Sequence, residues 1–197
     1  MARTAKSTPY HHRDLREALV ASGRLLLEEK GVRGFTLREC ARRAGVSHAA
    51  PAYHFASLGD LLAELARRGF VELAETMAKE TARVKPDAAS RLVGQCVGYI
   101  AFAAAHPMLF QLMFHGDTPH QPPLGLTDGV AAVIPHASGD VKARMADFAW
   151  STVHGFVVLL LDGHVGASDS SRALKSRSLA LLSAMAETVV RAGGVPD

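Results

Sequence analysis

The sequence predicts an all-α protein, with a small three-helix amino-terminal domain followed by a larger helical bundle. Three observations carry that expectation. Nearly half of the 197 residues are hydrophobic, and Ala and Leu outnumber Val, Ile and Thr, a balance that favours helix over strand. Apolar residues recur with the helical period of about 3.6 in one segment after another. Capping residues and Gly or Pro breaks punctuate those segments.

Residues 1–13 carry Arg3, Lys6, His11, His12 and Arg13 around Pro9 and read as a flexible basic arm. From Asp14 a stripe of Leu15, Ala18, Leu19, Ser22, Leu25, Leu26 and Glu29 makes the first helix, stopped by Gly31 and Gly34. Thr36 starts a second helix over 37–44, and Glu39 three residues later completes a capping box. Leu37, Cys40, Ala41 and Ala44 line one side of it, with Arg38, Arg42 and Arg43 on the other. Gly45-Val46 makes a turn, Ser47 caps a short helix over about 48–54, and Ser57 with Asp60 caps the next.

That fourth helix spans about 58–84, and Lys85-Pro86-Asp87 interrupts it. A helix over 88–105 holds Leu92, Cys96, Tyr99 and Phe102, and His106-Pro107 leads into a short apolar helix over 107–115. Residues 116–125 (GDTPHQPPLG) form a turn-rich, mobile segment. A weaker helix over about 126–137 and two long ones over about 140–163 and 171–193 complete the chain. The domains are thus the arm 1–13, a helix-turn-helix domain 14–57 that extends into the fourth helix, and a helical body 58–197.

Charge is distributed unevenly. Residues 1–57 hold 10 Lys/Arg against 5 Asp/Glu, while residues 58–197 hold 12 against 14. A basic head on a slightly acidic body points to a polyanion as partner of the head alone. Cys40 and Cys96 lie far apart without CxxC spacing, which fits buried thiols in a reduced, cytoplasmic protein. No apolar run reaches the length needed to cross a bilayer and no signal-peptide pattern opens the chain, so no membrane partner is expected.

The two capped helices around Gly45-Val46-Ser47 satisfy helix-turn-helix spacing. Such a unit lays its second helix in the major groove of double-stranded DNA while the first crosses the backbone. Arg38 is placed to meet a phosphate, and the amino-termini at Thr36 and Ser47 favour anions. Tyr53 and His54 suit phosphates, a sugar or a thymine methyl.

The run from Leu19 to Phe70 resembles the amino-terminal domain of the TetR family of bacterial regulators. The shared features are Gly31, Gly34-Phe35-Thr36, Ala41, Ala44-Gly45-Val46-Ser47, His54-Phe55, Ser57 and Leu61-Leu62. The resemblance implies a three-helix DNA-binding domain, reading through about 48–54, on a helical dimer. Ala52 stands where the family usually carries an aromatic residue, so Tyr53 takes over that contact, and Leu58 stands where a lysine often meets phosphate. Pro51 removes one early backbone hydrogen bond. With no Arg or Lys in the reading segment, discrimination falls to His48, Tyr53, the small Ala49 and Ala50, and DNA shape.

His106-Pro-Met-Leu-Phe-Gln-Leu-Met-Phe114 and Trp150-Ser-Thr-Val-His154-Gly155 are similar to a subgroup of TetR-like carboxy-terminal domains with a Trp…His-Gly signature. The resemblance implies that the last two helices build a four-helix dimer interface, and Phe156, Val157, Leu160, Leu161, Leu182, Met185 and Val189 are the residues expected there. A homodimer would match a palindromic operator. Phe102, Met108, Phe110, Met113, Phe114, Trp150 and His154 suit an apolar cavity for a small-molecule effector, with His154 fixing orientation. The function implied is a sequence-specific repressor released by a hydrophobic ligand. A TetR-like activator, or a helical ligand-binding adaptor without DNA contact, stands as the alternative.

No enzyme, metal site or cofactor is expected. The 10 histidines include no HExxH and no His/carboxylate set at ligand spacing, although His115, Asp117 and His120 share a loop. Ser151, His154 and Asp162 resemble a triad only in residue type, because position 162 is over two helical turns from 154.

Overall fold

The computed structural model describes residues 12–114, 124–166 and 171–194. Among them are eight α-helices, two short 3-10 turns and no strand. The helices are α1 (His12–Lys30), α2 (Leu37–Arg43), α3 (Leu58–Thr81), α4 (Ala88–Ala105), α5 (Pro107–Phe114), α6 (Leu124–Val133), α7 (Gly139–Leu161) and α8 (Ser171–Gly193). Most of the basic arm and the 116–125 segment lie outside the described residues, as do His115, Asp117 and His120.

Local chemistry sets the helix boundaries. Ser57 accepts from the Asp60 amide while Asp60 accepts from the Ser57 amide, a complete capping box that opens α3. Asp87 and Ser138 cap α4 and α7 in the same sense. At Thr36 only half the expected box forms. The hydroxyl accepts from the Glu39 amide at 3.2 Å, but the Glu39 carboxylate turns instead to Arg42 and Arg43, because two guanidiniums outbid one amide.

α4 is the hub, packed against α3, α5, α6, α7 and α8. It is long and apolar enough to cross a membrane, but it supplies Leu92, Cys96, Tyr99 and Phe102 to the chain's own core. Glycines permit its close approach to α3: a Cβ on Gly98 would lie 2.5 Å from Met77 Cα, and one on Gly94 3.0 Å from Thr81 Cα. α3 meets α5 at Gly69, against Met113 and Leu109.

The amino-terminal domain adds Leu19, Phe35, Cys40, Phe55 and Leu61 to the same continuous core. Arg16 lies over the Phe55 ring at 5.2 Å. The domain is fastened to α3 by ion pairs: Arg16–Glu64 at 3.2 Å, Arg68–Glu17 at 2.6 Å and Arg24–Glu72 at 3.2 Å.

The final two helices depart from the sequence expectation. Val157, Leu182 and Val189 are wholly buried within the single chain, with Met185 and Phe156 nearly so, while Leu160 and Leu161 are half-buried. α7 and α8 pack on each other and on α4 and α6, so the most apolar stripe of each faces the chain's own core rather than a partner. The apolar side chains left outside are Phe148 and Leu159 on α7 and Leu179 and Val190 on α8.

Candidate nucleic-acid interface and effector site

The turn after α2 aims the reading segment. Gly45 adopts φ +69°, a left-handed conformation that glycine takes without a Cβ clash. Its amide bonds to Arg42 O at 3.2 Å, and the Val46 amide to Ala41 O at 3.0 Å. This is the Schellman closure of a helix end. The chain then enters the segment expected to be a helix over 48–54.

That segment is a single 3-10 turn, Ala50–Tyr53, with Pro51 in its first positions. Proline has no amide to continue an α-helical ladder, and the bonds that form run from Ala50 to Ser47 O and from His54 to Pro51 O. Ser47 makes no side-chain cap, since the capping position belongs to Ala49. Ser47, His48, Ala49, Ala52 and Tyr53 face solvent, and Tyr53 is 82% exposed. Ala50 and Pro51 are buried, so Ala50, expected at the DNA surface, instead seats the turn on the domain. His54 is half-buried with Nε2 turned inward, a poorer donor to a backbone phosphate than its neighbours.

The basic residues divide into two sets. Arg43 grips Glu29 of α1 at 2.6 Å and Glu39 at 3.3 Å, while Arg42 grips Glu39 at 2.7 Å. The Arg42 hydrogen bond holds the Glu39 carboxyl well below its ordinary range, at about 2. Arg43 thereby ties α2 to α1, while the Arg42 pair stays within α2. Arg33 and Arg38 are exposed and join no ion pair among the described residues, which leaves their charge to the surroundings. Thr36, the start of α2, is exposed beside them. Arg33 was passed over in the sequence because it falls in the Gly31–Gly34 stop, with Glu28 and Glu29 just before it.

In the body, four of the expected pocket residues converge. Phe110, Phe114, Trp150 and His154 surround Tyr99. The Tyr99 hydroxyl and His154 Nδ1 are hydrogen-bonded at 2.8 Å. Phe114 lies 5.0 Å from His154 and 4.7 Å from Phe110 between ring centroids, with Trp150 5.7 Å from His154. Burial raises the Tyr99 pKa, so it stays a neutral phenol, a shift opposed by a hydrogen-bonding contribution from the Trp150 indole. That indole N–H nevertheless makes no hydrogen bond of ordinary geometry, and Nε1 is buried. A buried donor so loosely held inside an aromatic shell suits an acceptor brought by a ligand.

The other three stand apart. Phe102 meets His106 edge to face at 5.2 Å, and Met113 fills the space under Gly69. Met108 lies against Gly31 at the end of α1. There Glu28 of α1 accepts from the Met108 and Leu109 amides at 3.3 and 3.4 Å, on the opening turn of α5. α5 therefore touches the aromatic cluster through Phe110 and Phe114 and the amino-terminal domain through its first amides. Tyr99 was missed in the sequence as a site residue, although it is the sole hydroxyl-bearing aromatic of an apolar helix.

A helix-turn-helix with an outward reading turn, carried on an all-α body with a polar pair inside an aromatic shell, defines a DNA-binding transcription regulator. Family models agree: residues 19–65 match the description "Bacterial regulatory proteins, tetR family", and residues 92–182 match "Tetracyclin repressor-like, C-terminal domain". The chain belongs to the TetR family. Among curated proteins none matches significantly. A solved protein of unknown function from Rhodococcus sp. RHA1 is 30% identical, with a TM-score of 0.71 over 94% of this chain and 98% of that one. TetR from Acinetobacter baumannii AYE shares the fold at 16% identity and a TM-score of 0.67, over 88% and 95% of the two chains. A variant of TetR from the same organism, in complex with minocycline, shares it at 18% identity and a TM-score of 0.62, over 88% and 94%.

Proposed function

We propose that this regulator is a repressor that binds a palindromic operator as a homodimer and is released by a small apolar effector held at the Tyr99 cluster. The observation that carries the reading is the double attachment of α5. Its Phe110 and Phe114 belong to the aromatic shell, and its opening amides are held by Glu28 of α1. An effector that displaces Phe114 would act on α5 and thereby on the angle of the reading domain. By linkage, DNA would weaken effector binding by the same factor. The minocycline held by the Acinetobacter baumannii variant supports a ligand role for this body.

DNA contact falls on Thr36, Arg38, Ser47, His48, Ala49 and Tyr53, with Arg33 added. The dimer contact falls on the outer faces of α7 and α8, where Phe148, Leu159 and Leu179 remain exposed. The effector would be apolar with one hydrogen-bond acceptor for the Trp150 N–H. Selection of bound duplexes from a random pool, followed by titration of the winning duplex at two salt concentrations, tests the reading. An inverted repeat bound with a salt-dependent affinity is expected. A half-site bound equally well by a monomer, or no duplex preference, would overturn it.

A further inference from the structure

A second recess lies away from the aromatic cluster, where the turn after α3 and the first turns of α4 meet the end of α8. It measures about 750 Å³. Val84, Val93, Ala186 and Val190 form an aliphatic floor, and Val84 and Val190 are 37% and 48% exposed. Such a surface gains free energy when something apolar covers it.

The rim is cationic: Arg83, Lys85 and Arg191 stand against one carboxylate, Glu187. Arg83 is engaged by Glu80 at 2.5 Å. Lys85 and Arg191 join no ion pair among the described residues. Asp87, beside the rim, accepts from the Ser90 amide at 2.8 Å and lies near enough to Lys85 to feel its charge. A second copy of the chain seated recess to recess would set this cationic rim against itself, an arrangement that electrostatics opposes. A dianion would meet Glu187 at greater cost than a monoanion does. Charge and floor together fit one occupant.

We propose that this recess binds a small aliphatic carboxylate, its head on Lys85 and Arg191 and its tail along Val84, Val93 and Val190. The site is separate from the Tyr99 cluster, so the chain has two ligand classes to answer to. Titration calorimetry of the full chain with decanoate, decanol and acetate tests this. Saturable decanoate binding is expected, with decanol and acetate at least tenfold weaker because one lacks the charge and the other the tail. The double variant Lys85→Glu/Arg191→Glu should weaken decanoate tenfold or more, and Val190→Asn should weaken it severalfold. Phe114→Ala should leave it unchanged, which separates this site from the effector reading above. The proposal is overturned by an absence of saturable decanoate binding, by equal affinity for decanol, or by decanoate affinity that the double variant and Val190→Asn both leave intact. A loss confined to Phe114→Ala also overturns it, by placing decanoate in the aromatic cluster.

Discussion

Gly98 of α4 rests directly on the backbone of Met77 in α3: a Cβ there would fall 2.5 Å from Met77 Cα and 2.8 Å from Thr76 O. α3 and α4 therefore meet backbone to backbone here, with no flexible side chain to give way. Gly98→Ala should destabilise the protein by about 1–3 kcal/mol, the usual range for overpacking, read as a lower urea midpoint at unchanged slope. A midpoint equal to that of the parent would show that α3 and α4 slide apart freely.

Glu28 supplies a different kind of contact, between the amino-terminal domain and α5. Glu28→Ala removes the acceptor for the Met108 and Leu109 amides, and a cost of about 1–2 kcal/mol in stability is expected. More tellingly, any effector's influence on operator affinity should shrink in this variant while effector binding itself persists. Full retention of that influence would remove α5 from the coupling route.

Tyr53 and Arg38 should separate in their effects on DNA. Tyr53→Ala, at an exposed point of the reading turn, should weaken binding by about 1–3 kcal/mol and relax preference at one base position. Arg38→Ala should weaken all duplexes alike and lower the log–log salt slope by about one ion. Anisotropy titrations on a matched and a mismatched duplex distinguish the two behaviours.

Acid should loosen the domain from within. Glu39 is held at about 2 by Arg42, below its ordinary value of 4.5, and Glu64 is lowered by Arg67, Arg16 and Arg68. A carboxylate with a depressed folded pKa contributes stability that is complete above about 4.5 and lost as pH falls toward 2. The thermal midpoint should therefore drop steeply across that window, less so in Glu64→Gln, which starts without the Arg16–Glu64 pair. An identical pH profile for parent and variant would assign the acid loss elsewhere.

How much of this was legible in the sequence follows from the range of each signal. Caps are local, so Asp87 and the His106-Pro107 break placed α4 at 88–105, as observed. Facing partners are not local. The apolar stripes of the last two helices announced burial, yet periodicity cannot tell a chain's own core from a second copy, and Val157, Leu182 and Val189 turned inward. The Tyr99–His154 bond joins positions 55 apart, beyond any window of pattern. The effect of Pro51 runs further than one lost hydrogen bond, because it leaves the reading segment as a 3-10 turn ending at Tyr53.

That brevity has a consequence for how the protein could acquire new targets. Pro51 fixes one dihedral in advance, and the buried Ala50 moors the turn, so its outer residues hang on a scaffold that does not depend on them. Ala49 and Ala52 are two methyl-sized blanks on that outer side. Larger side chains installed there would extend toward a duplex without disturbing a packed neighbour, making the reading turn a place where recognition is rewritten at little structural risk.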